Sequence, residues 1–162
     1  MSGLSLTSLV RMRREHPRGW TWSVTMLMAG LSLVIGLGVS VYDGVLNPLF
    51  LPAVFFVLVG LFAFYIPGLL MAAAAIGLRR GWVRMVKIGA IGAMAQGFMA
   101  GVATFGQFTV TEFSVLALVE GLLWTAGDFY VAGRLWKSLP WVAADAEANS
   151  GFELQVAEAD LA

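Results

Sequence analysis

Residues 66–105 read IPGLLMAAAAIGLRRGWVRMVKIGAIGAMAQGFMAGVATF, two apolar runs separated by the short basic stretch Arg79-Arg80-Gly81. A helix needs about 20 apolar residues to cross a hydrocarbon core about 30 Å thick. The run from Trp82 to Phe105 meets that length. The two runs therefore predict a transmembrane helical hairpin whose tight turn carries the arginines.

The composition of the whole chain favours lipid as its surroundings. Of its 162 residues, 59% are hydrophobic and 12% are charged, whereas ordinary globular proteins carry about 25% charged residues. Mean hydropathy is +0.83, and a soluble protein this apolar would expose large patches and aggregate. We therefore expect an all-α polytopic membrane protein, with the lipid bilayer as its first partner.

The residue inventory also excludes several kinds of site. The chain has no cysteine, which removes disulfides, thiolate nucleophiles, iron–sulfur clusters and cysteine-ligated zinc. His16 is the single histidine and lies in the polar N-terminal arm, so one chain cannot build a paired-histidine metal or haem site within the membrane. The net charge of zero gives no general attraction to nucleic acid. We expect no cofactor, no metal and no nucleic-acid partner.

Extending the same reasoning along the chain predicts a four-helix transmembrane domain over residues 20–138, with spans at about 20–42, 48–78, 82–105 and 110–137. Asn47-Pro48 has the pattern of a helix start, and Pro52 offers an alternative start. The second span exceeds one bilayer thickness, so we predict one helix kinked at Pro67-Gly68 in preference to a re-entrant element. Thr109 and Glu112 have the spacing of a capping box before the fourth span.

Polar segments flank this domain. Residues 1–19 form a basic N-terminal arm, and residues 139–162 form an acidic tail without a basic residue. Lys137 and Pro140 are predicted to end the fourth helix. The tail is therefore predicted to be flexible and solvated.

The basic residues indicate the orientation of the four spans. The two loops near Asp43 and Gln107 carry no lysine or arginine. Because basic residues in short loops stay in the cytoplasm, we expect both termini to lie in the cytoplasm. We expect the protein itself to lie in the inner membrane of the cell. The lysines and arginines all lie on the opposite side of the membrane from these two loops. They are Arg11, Arg13, Arg14 and Arg18 before the first span, Arg79, Arg80, Arg84 and Lys87 around the central turn, and Arg134 and Lys137 at the end of the fourth span.

Small residues recur at four-residue spacing in three of the spans, as expected of helices that associate closely in lipid. They pack the chain's own bundle or, on the alternative reading, a second subunit. Span three has the longest stripe. The stripes are Ser32, Gly36 and Ser40; Gly89, Ala93, Gly97 and Gly101; and Ala117, Gly121 and Thr125.

Glu120 and Asp128 lie two turns apart in the fourth span, each within roughly 7 Å of its midpoint. A carboxylate at that depth costs about 2.5–3.5 kcal/mol on insertion scales, so such residues normally face the bundle or water. Helical geometry puts Asp128 in the small-residue stripe, facing a neighbouring helix. Gln96, near the middle of span three, is a reasonable hydrogen-bond partner for Glu120. The two acids line an ion path, or they fix helix contacts.

No catalytic motif is present, and no acid pair lies beside a nucleophile. We therefore expect a non-enzymatic membrane protein that acts through helix packing and assembly. It would be an accessory subunit of a membrane complex or a self-associating protein, a class that includes holin-like phage proteins. The alternative is a small ion channel or proton-coupled transporter that uses Glu120 and Asp128.

Overall fold

The computed structural model describes residues 15–38, 41, 58, 60–106 and 115–159, with side chains up to residue 148. The described chain forms four α-helices: α1 (Pro17–Gly38), α2 (Ile66–Arg80), α3 (Val83–Gly106) and α4 (Val115–Ala159). A π-helical segment, Gly60–Tyr65, leads directly into α2.

Four stretches of these helices are long and apolar enough to cross a membrane: Pro17–Gly38, Gly60–Arg80, Val83–Phe105 and Val115–Ala148. The prediction of an all-helical chain with four candidate spans is therefore confirmed. Each observed helix overlaps its predicted span. The proposed helix starts at Asn47-Pro48 and at Thr109, with its partner Glu112, lie outside the described residues.

The second span changes its helical type at the proline. Pro67 lies in the first turn of α2, and the π-helical segment ends at Tyr65. Proline has no N–H to donate to the carbonyl four residues earlier, so the α-helical bonding pattern is interrupted there. A π-helical stretch and a proline are both recognised causes of a bend in a helix. Within the described residues the helix is continuous from Gly60 to Arg80.

Consecutive helices pack against one another, and α4 closes the ring by packing against α1. A Cβ placed on Gly68 of α2 would lie 3.1 Å from the Cβ of Ser32 in α1. Gly89 of α3 lies directly against Ala74 of α2. In this arrangement α1 and α3 are diagonal to each other. The buried apolar core is Met28, Ala29, Met71, Ala74, Val86, Ala90, Ala93, Val131, Ala132, Leu135 and Val142.

The turn between α2 and α3 depends on Gly81. Its φ of 72° is the left-handed conformation that favours glycine. In that conformation its N–H donates to the carbonyl of Gly77, and the N–H of Trp82 donates to the same carbonyl. The bonds satisfy the end of α2 and reverse the chain within two residues.

The predicted end of the fourth helix at Pro140 is wrong, because α4 continues through Pro140 to Ala159. Ser138 and Val142, on either side of the proline, are fully buried. Ala146 lies beside Gly81 at the α2–α3 turn. Tertiary packing therefore offsets the local cost of the proline. At 1.5 Å per residue, the 45 residues of α4 measure about 67 Å, roughly twice the thickness of a hydrocarbon core.

Candidate functional site: a buried polar layer

The middle of the bundle contains a hydrogen-bonded pair that joins two diagonal helices. The Nε2 of Gln96 in α3 donates to the Oγ of Ser32 in α1 at 2.8 Å, and the Ser32 hydroxyl lies 3.1 Å from Gln96 Oε1. Gln96 is 1% exposed and Ser32 is 0% exposed. Gln96 therefore bonds to Ser32, and not to Glu120 as its position in the sequence suggested.

Asp128 lies at the contact between α3 and α4 and is 0% exposed. A Cβ placed on Gly97 would be 3.0 Å from the Cβ of Asp128. The absence of a side chain at Gly97 is what leaves room for the carboxyl group. Neither carboxyl oxygen of Asp128 has a hydrogen-bond partner among the described residues. An isolated buried carboxylate is among the most costly groups that a protein can contain.

Trp124 lies one helical turn before Asp128 and has a second unpartnered polar atom. Its indole Nε1 is buried and makes no hydrogen bond within the described part of the chain. Its ring packs edge-on against Phe64 of the π-helical segment, with ring centroids 6.4 Å apart. One face of α4 thus carries the indole N–H of Trp124 and, one turn later, the carboxyl group of Asp128. The two groups are not hydrogen-bonded to each other.

Glu120 occupies a different environment from Asp128. It is exposed and lines a cavity of about 250 Å³ together with Thr104, Gly121 and Trp124. Trp124 is common to this cavity and to the helix face that carries Asp128. The structure therefore places the two acids on either side of Trp124 and does not bring them into one site.

On the side of Asp128 towards Arg79 and Arg134, which we call the basic end of the bundle, most buried side chains are apolar, and the buried hydroxyl of Thr25 is bonded within α1. Val131 and Leu135 of α4 are completely buried there, as are Met71 and Val86 of the neighbouring helices. This packed layer separates Asp128 from the basic end in the conformation described. An ion path through Asp128 would therefore need the layer to open.

Arg134 ties the start of α1 to α4, an interaction that sequence reasoning missed. Its Nη2 donates to Thr21 Oγ1 at 2.9 Å and to the carbonyl of Pro17 at 3.1 Å. Thr21 in turn donates to the Pro17 carbonyl. The only available signal was an arginine at the end of an apolar run, and that pattern is equally typical of an interfacial residue.

The small-residue stripes predicted for packing lie mostly inside the bundle. Ala93 is fully buried, and Ala117 lines the cavity around Glu120. Ser40 lies outside the described residues. The remaining contacts pair Gly36 with Phe64 and Tyr65, Gly89 with Ala74, Gly97 with Asp128 and Phe129, Gly101 with Thr125, and Gly121 with Thr104.

A second feature, the α3–α4 groove, runs along the outer side of the bundle. It consists of two neighbouring cavities of about 480 and 380 Å³ that share Phe129. A Cβ placed on Gly133 in this groove would meet no heavy atom within 4 Å. Sequence reasoning missed Gly133 because it lies outside the stripes. The lining residues are Met94, Phe129, Ala132, Gly133, Trp136 and Lys137 in the larger cavity, and Gly97, Phe98, Gly101, Val102, Phe105, Thr125 and Phe129 in the smaller one.

No cluster of three or more histidine, cysteine, aspartate or glutamate side chains with metal-binding geometry occurs within the described residues. Comparison with known proteins gives no match to a family model, to a curated protein or to a solved structure.

Proposed function

We propose that this chain is a multi-pass protein of the cell's inner membrane that acts without catalysis, by assembling with other membrane subunits or with copies of itself. Both termini lie in the cytoplasm. Arg18 pairs with Asp145, and the Arg134 guanidinium reaches Pro17. These contacts support a single basic end of the bundle, which is the end that normally stays in the cytoplasm.

The α3–α4 groove is the observation that carries the assembly proposal. The glycines of the small-residue stripes already contact neighbouring helices of the same chain, whereas a Cβ added at Gly133 would contact nothing. Small residues allow two transmembrane helices to approach closely, and van der Waals packing is a main source of their association energy. A groove with Gly133 and Ala132 in its lining, bordered by Phe129 and Trp136, suits a helix of a second subunit.

The test is to fill the groove without disturbing the bundle. Gly133→Leu places a large side chain where none is contacted, so the monomer should fold as before. We expect the variant to lose its complexes on native gels and in crosslinking within membranes. Purified wild-type chain that still forms a complex alone identifies self-association, and a complex that needs co-expressed subunits identifies an accessory role.

Gly30→Leu is the matched control. Gly30 lies in α1 and also has no heavy atom within 4 Å of an added Cβ, but it does not line the groove. Assembly should survive this substitution. Loss of the complex in both variants, or in neither, would contradict an interface at the groove.

A second candidate function, a proton-coupled or ion-conducting role for Asp128 and Glu120, is supported by the unpartnered Asp128 carboxyl group. Polar groups at such depth commonly mark ion or proton relays. Asp128→Asn and Glu120→Gln should then abolish flux in proteoliposomes while the melting temperature is preserved. Flux at the wild-type rate in the folded double variant would contradict a role of these two acids in ion conduction or proton coupling.

A further inference from the structure

A cavity of about 290 Å³ lies at the basic end of the bundle, between the start of α1, the end of α2 and the extension of α4. We call it the basic rim cavity. The seven residues that line it are Arg18, Gly19, Trp22, Leu78, Arg79, Trp141 and Asp145.

Two guanidinium groups of this cavity are held against indole rings. The Arg79 guanidinium carbon lies 3.8 Å from the centroid of the Trp22 ring, and that of Arg18 lies 5.0 Å from Trp141. A cation–π contact of this kind is made through the face of the ring and does not use up the N–H donors of the guanidinium. This fork matches the spacing of two oxygens of a phosphate group.

The charges of the two arginines are not equally satisfied. Arg18 donates to Asp145 at 2.9 Å. Arg79 makes no hydrogen bond or ion pair with any residue that the structure describes; its cation–π contact with Trp22 is its one interaction there. The lining therefore carries one net positive charge, and the free donors belong to Arg79.

The position of the cavity agrees with the level of lipid head groups. The 22 residues of α1 span about 33 Å, close to the thickness of the hydrocarbon core, so Pro17 and Arg18 lie at its boundary. Trp22 and Trp141 line the cavity, and indoles at this level are typical of the membrane interface. Basic pockets between transmembrane helices on the cytoplasmic side are suited to anionic head groups.

We propose that the basic rim cavity binds a phosphodiester, supplied by the head group of an anionic phospholipid, with Arg79 as its principal ligand. The neighbouring Arg18–Asp145 pair borders the site and keeps the net charge of the lining at one. This matches the single charge of a phosphodiester. The inference does not depend on whether the chain assembles through the α3–α4 groove.

The experiment measures lipid retention by native mass spectrometry of the full chain released from mild detergent. Three probes are compared: phosphatidylglycerol, diacylglycerol with the same acyl chains, and inorganic phosphate. We expect retention of phosphatidylglycerol alone. Equal retention of diacylglycerol would overturn the proposal, because that lipid lacks the phosphate. Binding of inorganic phosphate with the same affinity would overturn the assignment of the source to lipid.

Arg79→Gln should weaken phosphatidylglycerol binding by about tenfold, through loss of a charge-assisted hydrogen bond. The matched control is Arg84→Gln, which removes the same charge from the same end of the bundle but lies outside the cavity. Equal binding by the two variants would also overturn the proposal. If Arg79→Gln does not fold, the comparison of phosphatidylglycerol with diacylglycerol on the wild-type chain still decides the question.

Discussion

Ser32 and Gln96 are hydrogen-bonded to each other at the centre of the bundle, although 64 positions of sequence separate them and their helices lie diagonally across the ring. Each side chain supplies both a donor and an acceptor. The pair fixes the rotation of α1 relative to α3, because turning either helix would leave a buried amide without a partner.

Ser32→Ala should destabilise the bundle, since it removes the partner of both polar atoms of Gln96. Interhelical hydrogen bonds of this kind contribute about 0.6 kcal/mol on average in membranes, with a maximum near 1.7. The check is a double-mutant cycle with Ser32→Ala and Gln96→Leu, read as the free energy of unfolding in detergent. Ser23→Ala is the control, because Ser23 is exposed. Strictly additive effects would show that the two side chains are not coupled.

Asp128→Asn should leave the stability unchanged or raise it. No described residue would lose a hydrogen bond, and the amide cannot carry the negative charge that makes an isolated buried acid costly. The measurement is the midpoint of thermal unfolding in detergent, with the exposed Glu120→Gln as the control. If the shift in the midpoint corresponded to a loss of more than about 1 kcal/mol in the free energy of unfolding, which is the contribution of a typical hydrogen bond, the Asp128 carboxyl group would have a partner.

Two glycine-to-alanine substitutions should have opposite signs. An added Cβ at Gly89 would meet the Ala74 side chain and lie 2.7 Å from the carbonyl oxygen of Leu70, so Gly89→Ala should cost about 1–3 kcal/mol through overpacking. Gly30 has open space around it, and Gly30→Ala should gain about 0.5–1 kcal/mol because alanine loses less backbone entropy. Unfolding in a denaturing detergent measures both. Two changes of the same sign would contradict the packing described.

The extension of α4 past Pro140 should contribute to stability through burial rather than charge. Val142 is completely buried, and Val142→Ala should cost at least about 1 kcal/mol because it leaves a cavity. Asp145→Asn should cost less than about 1 kcal/mol, because its ion pair with Arg18 is exposed to solvent. The comparison is made by thermal unfolding in detergent. If the second substitution proved more damaging than the first, the ion pair rather than the packing would hold the extension.

The structure also alters how the assembly proposal can be tested. From the sequence, Gly97 is the natural glycine to substitute, because it lies in the longest small-residue stripe. Its side-chain position is occupied by Asp128 and Phe129 of the same chain. A large residue at Gly97 would therefore disrupt the bundle itself, and only Gly133 separates folding from assembly.

Length and hydropathy along the chain were enough to predict the helical spans. A helix must satisfy its own backbone polar groups in lipid, so a sufficiently long apolar run has few alternatives. The turn at Gly81 could also be predicted, because a pair of arginines and a glycine separate two such apolar runs. The end of α4 was not, because the rule that proline stops a helix is local. The burial of Val142 and Ser138 against the rest of the bundle overrides it.

What the sequence determined by itself is the set of properties carried by consecutive residues: four apolar stretches, the basic residues that flank them, and the unusual acids of the fourth. Only the tertiary structure decided that Gln96 bonds to Ser32, that Asp128 lies against Gly97 and that Gly133 faces an open groove. The physical reason is that these relationships depend on which helices are neighbours and how each is rotated. When a helix is apolar around its whole circumference, its hydropathy does not mark one face as the inside, and a stripe of small residues shows which face packs closely without showing which helix it packs against.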